Sequence, residues 1–322
     1  MSPRPSGRTS AVATCSKRSL STSGGIAVSG VSELVTAPAA ESTPVAKADS
    51  LAHRVLAAVI FLPALWIVTD RGGPFFMVTV SLVVLFGSRE FFGMLEARGL
   101  RPSSIAGILC GLALVAAAWF RQGLYHELVL AAGVLLLMVL ELRHRTFDKA
   151  VAHIGATILA LLYVGFLGSH LVLLRELPRL SGTDYALGAD YVFLAVVYTW
   201  GCDTGAYIVG RTLGRHSLLE RVSPNKSREG AIGGLVFAGI GGYIAHLTFA
   251  SDFLGPVTAV VLGVMVATAG QFGDMVESLI KRDLAVKDSA AILPGHGGVL
   301  DRFDSLFYAA PVLYYALKFY VT

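Results

Sequence analysis

About nine apolar stretches recur between Leu51 and the C-terminus, and they restrict the chain more than any other feature. They run over 51–69, 74–92, 104–120, 126–142, 151–174, 190–210, 230–249, 254–280 and 305–321. A hydrocarbon layer takes about 17–25 residues of helix to cross. Inside it the backbone must satisfy its own hydrogen bonds, which a continuous apolar run can do only as a helix. The expected architecture is therefore all-α, a polytopic membrane helical bundle of about nine transmembrane helices. Composition agrees, because only 15% of the 322 residues are charged and soluble domains carry about 25%.

Loop charge tests this count. Cytoplasmic connections are enriched in Lys and Arg. With the N-terminus cytoplasmic, the inside connections hold Arg89, Arg98 and Arg101; Arg143, Arg145 and Lys149; Arg211, Arg215, Arg221, Lys226 and Arg228; and Lys281, Arg282, Lys287 and Arg302. The outside ones hold only Arg71, Arg121, Arg175 and Arg179. A shift of one span after any early helix would destroy this asymmetry. No internal repeat of the kind found in many transporters is visible.

Residues 1–50 are a separate region, rich in Ser, Thr, Ala, Gly and Pro and without periodicity. The expected tail is polar and disordered, since it cannot bury enough apolar surface to offset its ordering entropy. Its early Arg4, Arg8, Lys17 and Arg18 ahead of the first acid, Glu33, also suit an organelle transit peptide. The preferred location is the cell inner (cytoplasmic) membrane, multi-pass; a plastid or mitochondrial membrane is the alternative if 1–50 is a transit peptide. Cys15, Cys110 and Cys202 form no CxxC pair, which argues against a disulfide framework or zinc site. The net charge of +4 is not gathered into one patch, so nucleic acid is not an expected partner.

Two polar blocks, 199–230 and 273–305, interrupt the apolar pattern of the membrane domain, 51–322. Ionisable groups near the hydrocarbon layer are costly and point to function. In the second block Asp274, Glu277, Ser278 and Lys281 follow i, i+3, i+4, i+7 and share one helix face. Lys281 could simply snorkel at an interface, but Asp274 lies two turns deeper. Lys287-Asp288 follows, then Pro294-Gly295-His296-Gly297-Gly298, then Asp301-Arg302-Phe303-Asp304. Glycines here allow backbone N–H groups to approach an anion. Asp301 and Asp304 open the last helix, where the dipole alone would also favour acids. His296 is as suited to a turn as to proton transfer.

The first block places Asp203 mid-span, with Tyr207 and Arg211 on successive turns, and continues through Ser223-Pro224-Asn225-Lys226-Ser227-Arg228-Glu229-Gly230. Its basic residues could be a topology signal only, or a phosphate-contacting surface. Carboxylates for Mg²⁺, cations for phosphate oxygens and a glycine-rich N–H donor loop are together what nucleotidyl transfer needs. A proton-coupled transporter, with Asp203 and Asp274 as a relay, is the reading from another class.

The run Ser278-Leu279-Ile280-Lys281-Arg282, then Lys287-Asp288, then Pro294 through Asp304 resembles the signature of phosphatidate cytidylyltransferases (CDP-diacylglycerol synthases). The Asp203–Arg211 and Ser223–Gly230 segments resemble that family too, although Asn225 and Ser227 stand where it commonly has Lys and Thr. The resemblance implies transfer of CMP from CTP to phosphatidate, giving CDP-diacylglycerol and pyrophosphate, with Mg²⁺ and a second cation left open. It implies Asp274 and Asp301 as metal ligands, with Asp203, Glu277 and Asp304 supporting. Catalytic roles fall to Asp274, Asp301, Asp304, Lys281 and Arg302. Substrate contacts fall to Tyr207, Arg211, Ser223, Lys226, Arg228, Arg282, Lys287, Gly295, His296, Gly297 and Gly298. It further implies a homodimer. A CTP-dependent enzyme acting on an isoprenoid lipid is the nearest alternative, since lipid choice resides in the helices rather than the signature.

Overall fold

The computed structural model describes residues 63–120, 124–143, 149–286, 289 and 298–321, with backbone alone at 124 and 321. Residues 63–71 are helical. The elements after them are α1 (Gly73–Ala97), α2 (Ser104–Phe120), α3 (Leu124–Glu141), α4 (Ala150–Ala160), a π-helical turn (Leu161–Phe166) and α5 (Leu167–Ser181). There follow α6 (Leu187–Leu213), β1 (Ser217–Leu219), β2 (Ser223–Ser227), α7 (Arg228–Ala245), a second π turn (His246–Ala250), α8 (Pro256–Asp283) and α9 (Leu300–Val321). These residues belong to one unit that runs from Val45 to Thr322. The expected tail, 1–50, lies outside the described residues.

Five helical runs are long and apolar enough to cross a membrane: Gly73–Ala97, Ala150–Ser181, Leu187–Leu213, Arg228–Ala250 and Pro256–Asp283. Ser104–Phe120 is a shorter apolar helix. The protein is thus a helical, multi-pass membrane protein. Its core is apolar, with Phe91, Leu114, Val164, Leu174, Leu194, Phe307 and Leu313 fully buried. Its outside is apolar as well: Phe75, Ile105, Leu128, Val151, Val257 and Phe319 are exposed. A bundle hydrophobic on both its inner and outer faces suits lipid rather than water.

One element departs from the all-helical expectation. The 211–229 connection folds as an antiparallel hairpin, β1 with β2, pairing Ser217 with Ser227 and Leu219 with Ser223. A polar connection outside the span is free to use this geometry, because the constraint that forces helices acts only in hydrocarbon.

Helices approach closely where glycine removes a side chain, the usual device when lipid offers no hydrophobic drive between helices. A Cβ on Gly234 of α7 would lie 2.8 Å from the Cys202 carbonyl oxygen of α6. A Cβ on Gly273 of α8 would lie 2.7 Å from the Asp304 carbonyl oxygen of α9. These two crossings bring α7 against α6 and α9 against α8, and Gln271 Nε2 of α8 donates to Cys202 Sγ of α6 at 3.2 Å, which joins the two pairs.

Candidate active site

The two polar blocks meet. Lys226 of β2 forms an ion pair with Asp274 of α8. Asp203 of α6 keeps an accessible side chain and lies within electrostatic range of Asp274, Asp304 and Lys226. A second tie joins the blocks at their margin, where Arg282 Nε donates to the Val222 carbonyl oxygen at 3.4 Å. The hairpin explains how: its two short strands turn the chain back from the end of α6, so that β2 delivers Lys226 beside α8.

The polar stripe expected along α8 forms and faces inward. Glu277 is 1% exposed. Lys281 Nζ lies 3.2 Å from Glu277 Oε1 and 2.8 Å from Asp301 Oδ1. The contact with Asp301 is a directed hydrogen bond. Glu277 Oε1 is buried without one, although the ammonium is close. One cation therefore bridges α8 and α9.

Asp301 is a structural hub. Besides Lys281, it accepts the Ser289 N–H at 3.2 Å and the Gly298 N–H at 3.1 Å, both on Oδ2. Burial would raise its carboxyl, but the hydrogen bonds and charge of Lys281 and the Gly298 N–H outweigh that and hold it at about 2. The Gly298 N–H, read from the sequence as an anion donor, is thus spent on Asp301. Asp304 Oδ1 accepts the Ser305 N–H at 2.5 Å.

The remaining described residues sit on the neighbouring elements. Arg211 Nη1 donates to Tyr207 Oη at 2.7 Å on the exposed side of α6. Arg228 Nε reaches the Ser217 carbonyl oxygen at 3.3 Å within the hairpin. Ser223 opens β2, and Arg302 is exposed in the first turn of α9. Ser227 caps α7, its hydroxyl accepting the Gly230 N–H at 3.0 Å. Lys287, Gly295, His296 and Gly297 lie outside the described residues.

One residue of this region escaped the sequence reading. Glu90 of α1 is 3% exposed. Its Oε1 accepts the Val299 N–H at 2.8 Å; its Oε2 accepts the Leu300 N–H at 2.8 Å and the Ser289 hydroxyl at 2.9 Å. The signal was present: an acid within an apolar stretch of spanning length is costly unless it is used.

The donor set suits a divalent cation. Asp203, Asp274, Glu277, Asp301 and Asp304 outnumber Lys226 and Lys281 here, so carboxyl oxygens are left over for a cation to bind. Among the described residues no three acids or histidines converge as a ready-made metal cage. Mg²⁺ rarely uses one, keeping its waters and taking one or two carboxylates plus substrate phosphates.

Comparison with known proteins identifies the family. The model of the Cytidylyltransferase family matches residues 52–320. A Bacillus subtilis protein named phosphatidate cytidylyltransferase is 35% identical over 280 residues, covering 83% of this chain and 96% of its own length. Its namesake in Synechocystis sp. is 32% identical over 287 residues, 82% and 95% of the two chains. The one from Staphylococcus aureus is 33% identical over 262 residues, 80% and 94%. With both motif blocks joined at one centre and nearly its whole membrane domain matched, the chain belongs to the cytidylyltransferase family.

Proposed function

We propose that the protein transfers CMP from CTP to phosphatidate, producing CDP-diacylglycerol and pyrophosphate for phospholipid biosynthesis. The observation that carries this reading is the junction of the blocks, Lys226 on Asp274 beside the Glu277–Lys281–Asp301 chain. It sets two lysines and at least four carboxylates at one end of three packed helices. Similarity to relatives that bear this activity in their names supports it. A transporter relay would run along the bundle; here the acids gather at one end and engage loop cations.

In the reaction a phosphatidate oxygen attacks the α-phosphorus of CTP, and pyrophosphate leaves in line. A phosphate monoester is already largely ionised near neutral pH, with a second pKa of about 6, so no protein base is required. Lys226 and Lys281 are the cations nearest the centre. Each is now held by carboxylates and can turn to incoming phosphate oxygens, neutralising charge that grows in the transition state. Arg211, Arg228, Arg282 and Arg302, with Lys287, are the further cations proposed to meet substrate phosphates. Asp274, with Asp203 accessible beside it, would hold Mg²⁺, and Glu277 and Asp304 would complete the negative field. Asp301 contributes mainly by holding Lys281 and the flanks of the glycine motif. Bound there, the ion would screen the phosphates from one another.

We further propose nine spans with a cytoplasmic N-terminus, a bacterial inner membrane and a homodimer. The topology is supported by loop charge and by the junction itself, since connections 211–229 and 281–304 must share one side. The deciding assay gives purified full-length protein in detergent CTP, Mg²⁺ and phosphatidate, and follows pyrophosphate. Release that depends on phosphatidate is expected. No release with phosphatidate, or release with a polyprenyl acceptor alone, would overturn the assignment.

A further inference from the structure

The π-helical turn Leu161–Phe166 brings one polar group, the Tyr163 hydroxyl, near the acid cluster. Tyr163 is 3% exposed. Its ring packs against Phe91 of α1 and against Phe307 and Tyr308 of α9, with centroids 5.7, 6.2 and 6.0 Å away. Tyr308 marks the crossing with α8, because a Cβ on Gly273, one turn before Glu277, would lie 2.9 Å from its Cδ2. The turn is also held close to α2, where a Cβ on Gly165 would fall 2.8 Å from Gly111 Cα. From this place the Tyr163 hydroxyl lies within electrostatic range of Glu277, Asp304 and Asp274. Among the described residues its Oη is buried without a hydrogen-bond partner, and so is Glu277 Oε1.

A buried hydroxyl left unpaired costs stability, and phenylalanine would fill the same space without that cost. π turns inside helices recur at functional sites, and an unpaired buried group in such a place points to a second state in which it is paired. The proposed reaction supplies that state. Glu277 draws its compensation from Lys281 Nζ at 3.2 Å, and Lys281 is the cation that turns to a substrate phosphate. Once it turns, Glu277 is a buried charge without its partner, which is the costly arrangement. We infer that Tyr163 is a positioning residue for Lys281: its hydroxyl donates to Glu277 while Lys281 engages phosphate, and so lowers the barrier to that movement. The inference rests on the activity proposed above.

Tyr163→Phe tests it, because only the hydroxyl is removed. In the otherwise unaltered protein that hydroxyl is unpaired, so the unfolding temperature in detergent should stay within about 1 °C of wild type or rise. With CTP, Mg²⁺ and phosphatidate, kcat should fall about tenfold to a hundredfold, the range for a hydrogen bond to a charged group. The KM for CTP should move by less than about threefold, since the contact is made only as Lys281 engages the reacting phosphate. The Lys281→Met background reverses the stability result. There Glu277 has lost its ammonium and takes the phenol in the resting state, so Tyr163→Phe should lower the unfolding temperature by about 5 °C. Adding Glu277→Gln should remove that penalty. A side chain that only filled space would give the same stability change on both backgrounds. Equal changes on both backgrounds, or an unaltered kcat in folded Tyr163→Phe, overturn the inference. If Lys281→Met does not fold, the kcat of Tyr163→Phe decides alone. If the wild-type protein does not turn over CTP, the activity reading fails, and the stability comparison still decides whether Tyr163 reaches Glu277.

Discussion

Lys281→Met is the perturbation with the most to say about this site. The lysine is 17% exposed and shared by two carboxylates, at 3.2 Å from Glu277 and 2.8 Å from Asp301. Methionine keeps the length and the apolar stem and removes only the charge. Asp301 retains two backbone donors, whereas Glu277, 1% exposed, loses its counter-charge. Removing one partner of a buried pair costs about 3–5 kcal/mol; the partial exposure of Lys281 places the expected loss near about 3 kcal/mol. Glu277→Gln on the methionine background removes the orphaned charge and should recover most of that stability. Turnover should not recover. If Lys281 neutralises a phosphate oxygen in the transition state, its loss costs about 10²–10³-fold in kcat, whatever residue 277 is. Thermal unfolding in detergent reads the first effect and pyrophosphate release the second. Near wild-type turnover in the Lys281→Met/Glu277→Gln double variant would show that Lys281 serves Glu277 and not the substrate.

Three further outcomes follow from the same geometry. Asp274→Asn should lower turnover by at least about 10²-fold while moving stability by no more than about 1 kcal/mol, because its pair with Lys226 is about one-third exposed at both partners; retained activity would remove Asp274 from the metal assignment. Gly273→Val should destabilise by about 1–3 kcal/mol through overpacking and depress activity with it, since any Cβ there meets Asp304 and Tyr308 of α9; an unfolding temperature matching wild type would refute the close crossing. Chelation should stop pyrophosphate release and added Mg²⁺ should restore it, and turnover that persists in excess EDTA would refute the reading of the acid cluster.

The sequence alone determined the membrane-helical class and the residues of the signature, because both are local. A span is recognisable from its own apolar length, and Asp274, Glu277 and Lys281 share a face by helical spacing whatever surrounds them. Even the pairing of the two blocks could be anticipated, since the loop charge leads one to expect both connections on one side. Only the tertiary structure decided which partner each charge takes. That Lys226 pairs with Asp274, and that Asp301 binds Lys281 and two backbone N–H groups, depends on helix crossings set by glycines such as Gly234 and Gly273. No periodicity encodes those crossings. Glu90 shows the limit most clearly. It is 199 residues from Ser289 and 210 from Leu300, and nothing in its own stretch of sequence says that its carboxylate meets the start of α9. A hydrogen bond is decided by proximity to within a few tenths of an ångström, and at that separation along the chain proximity is a property of the packed bundle.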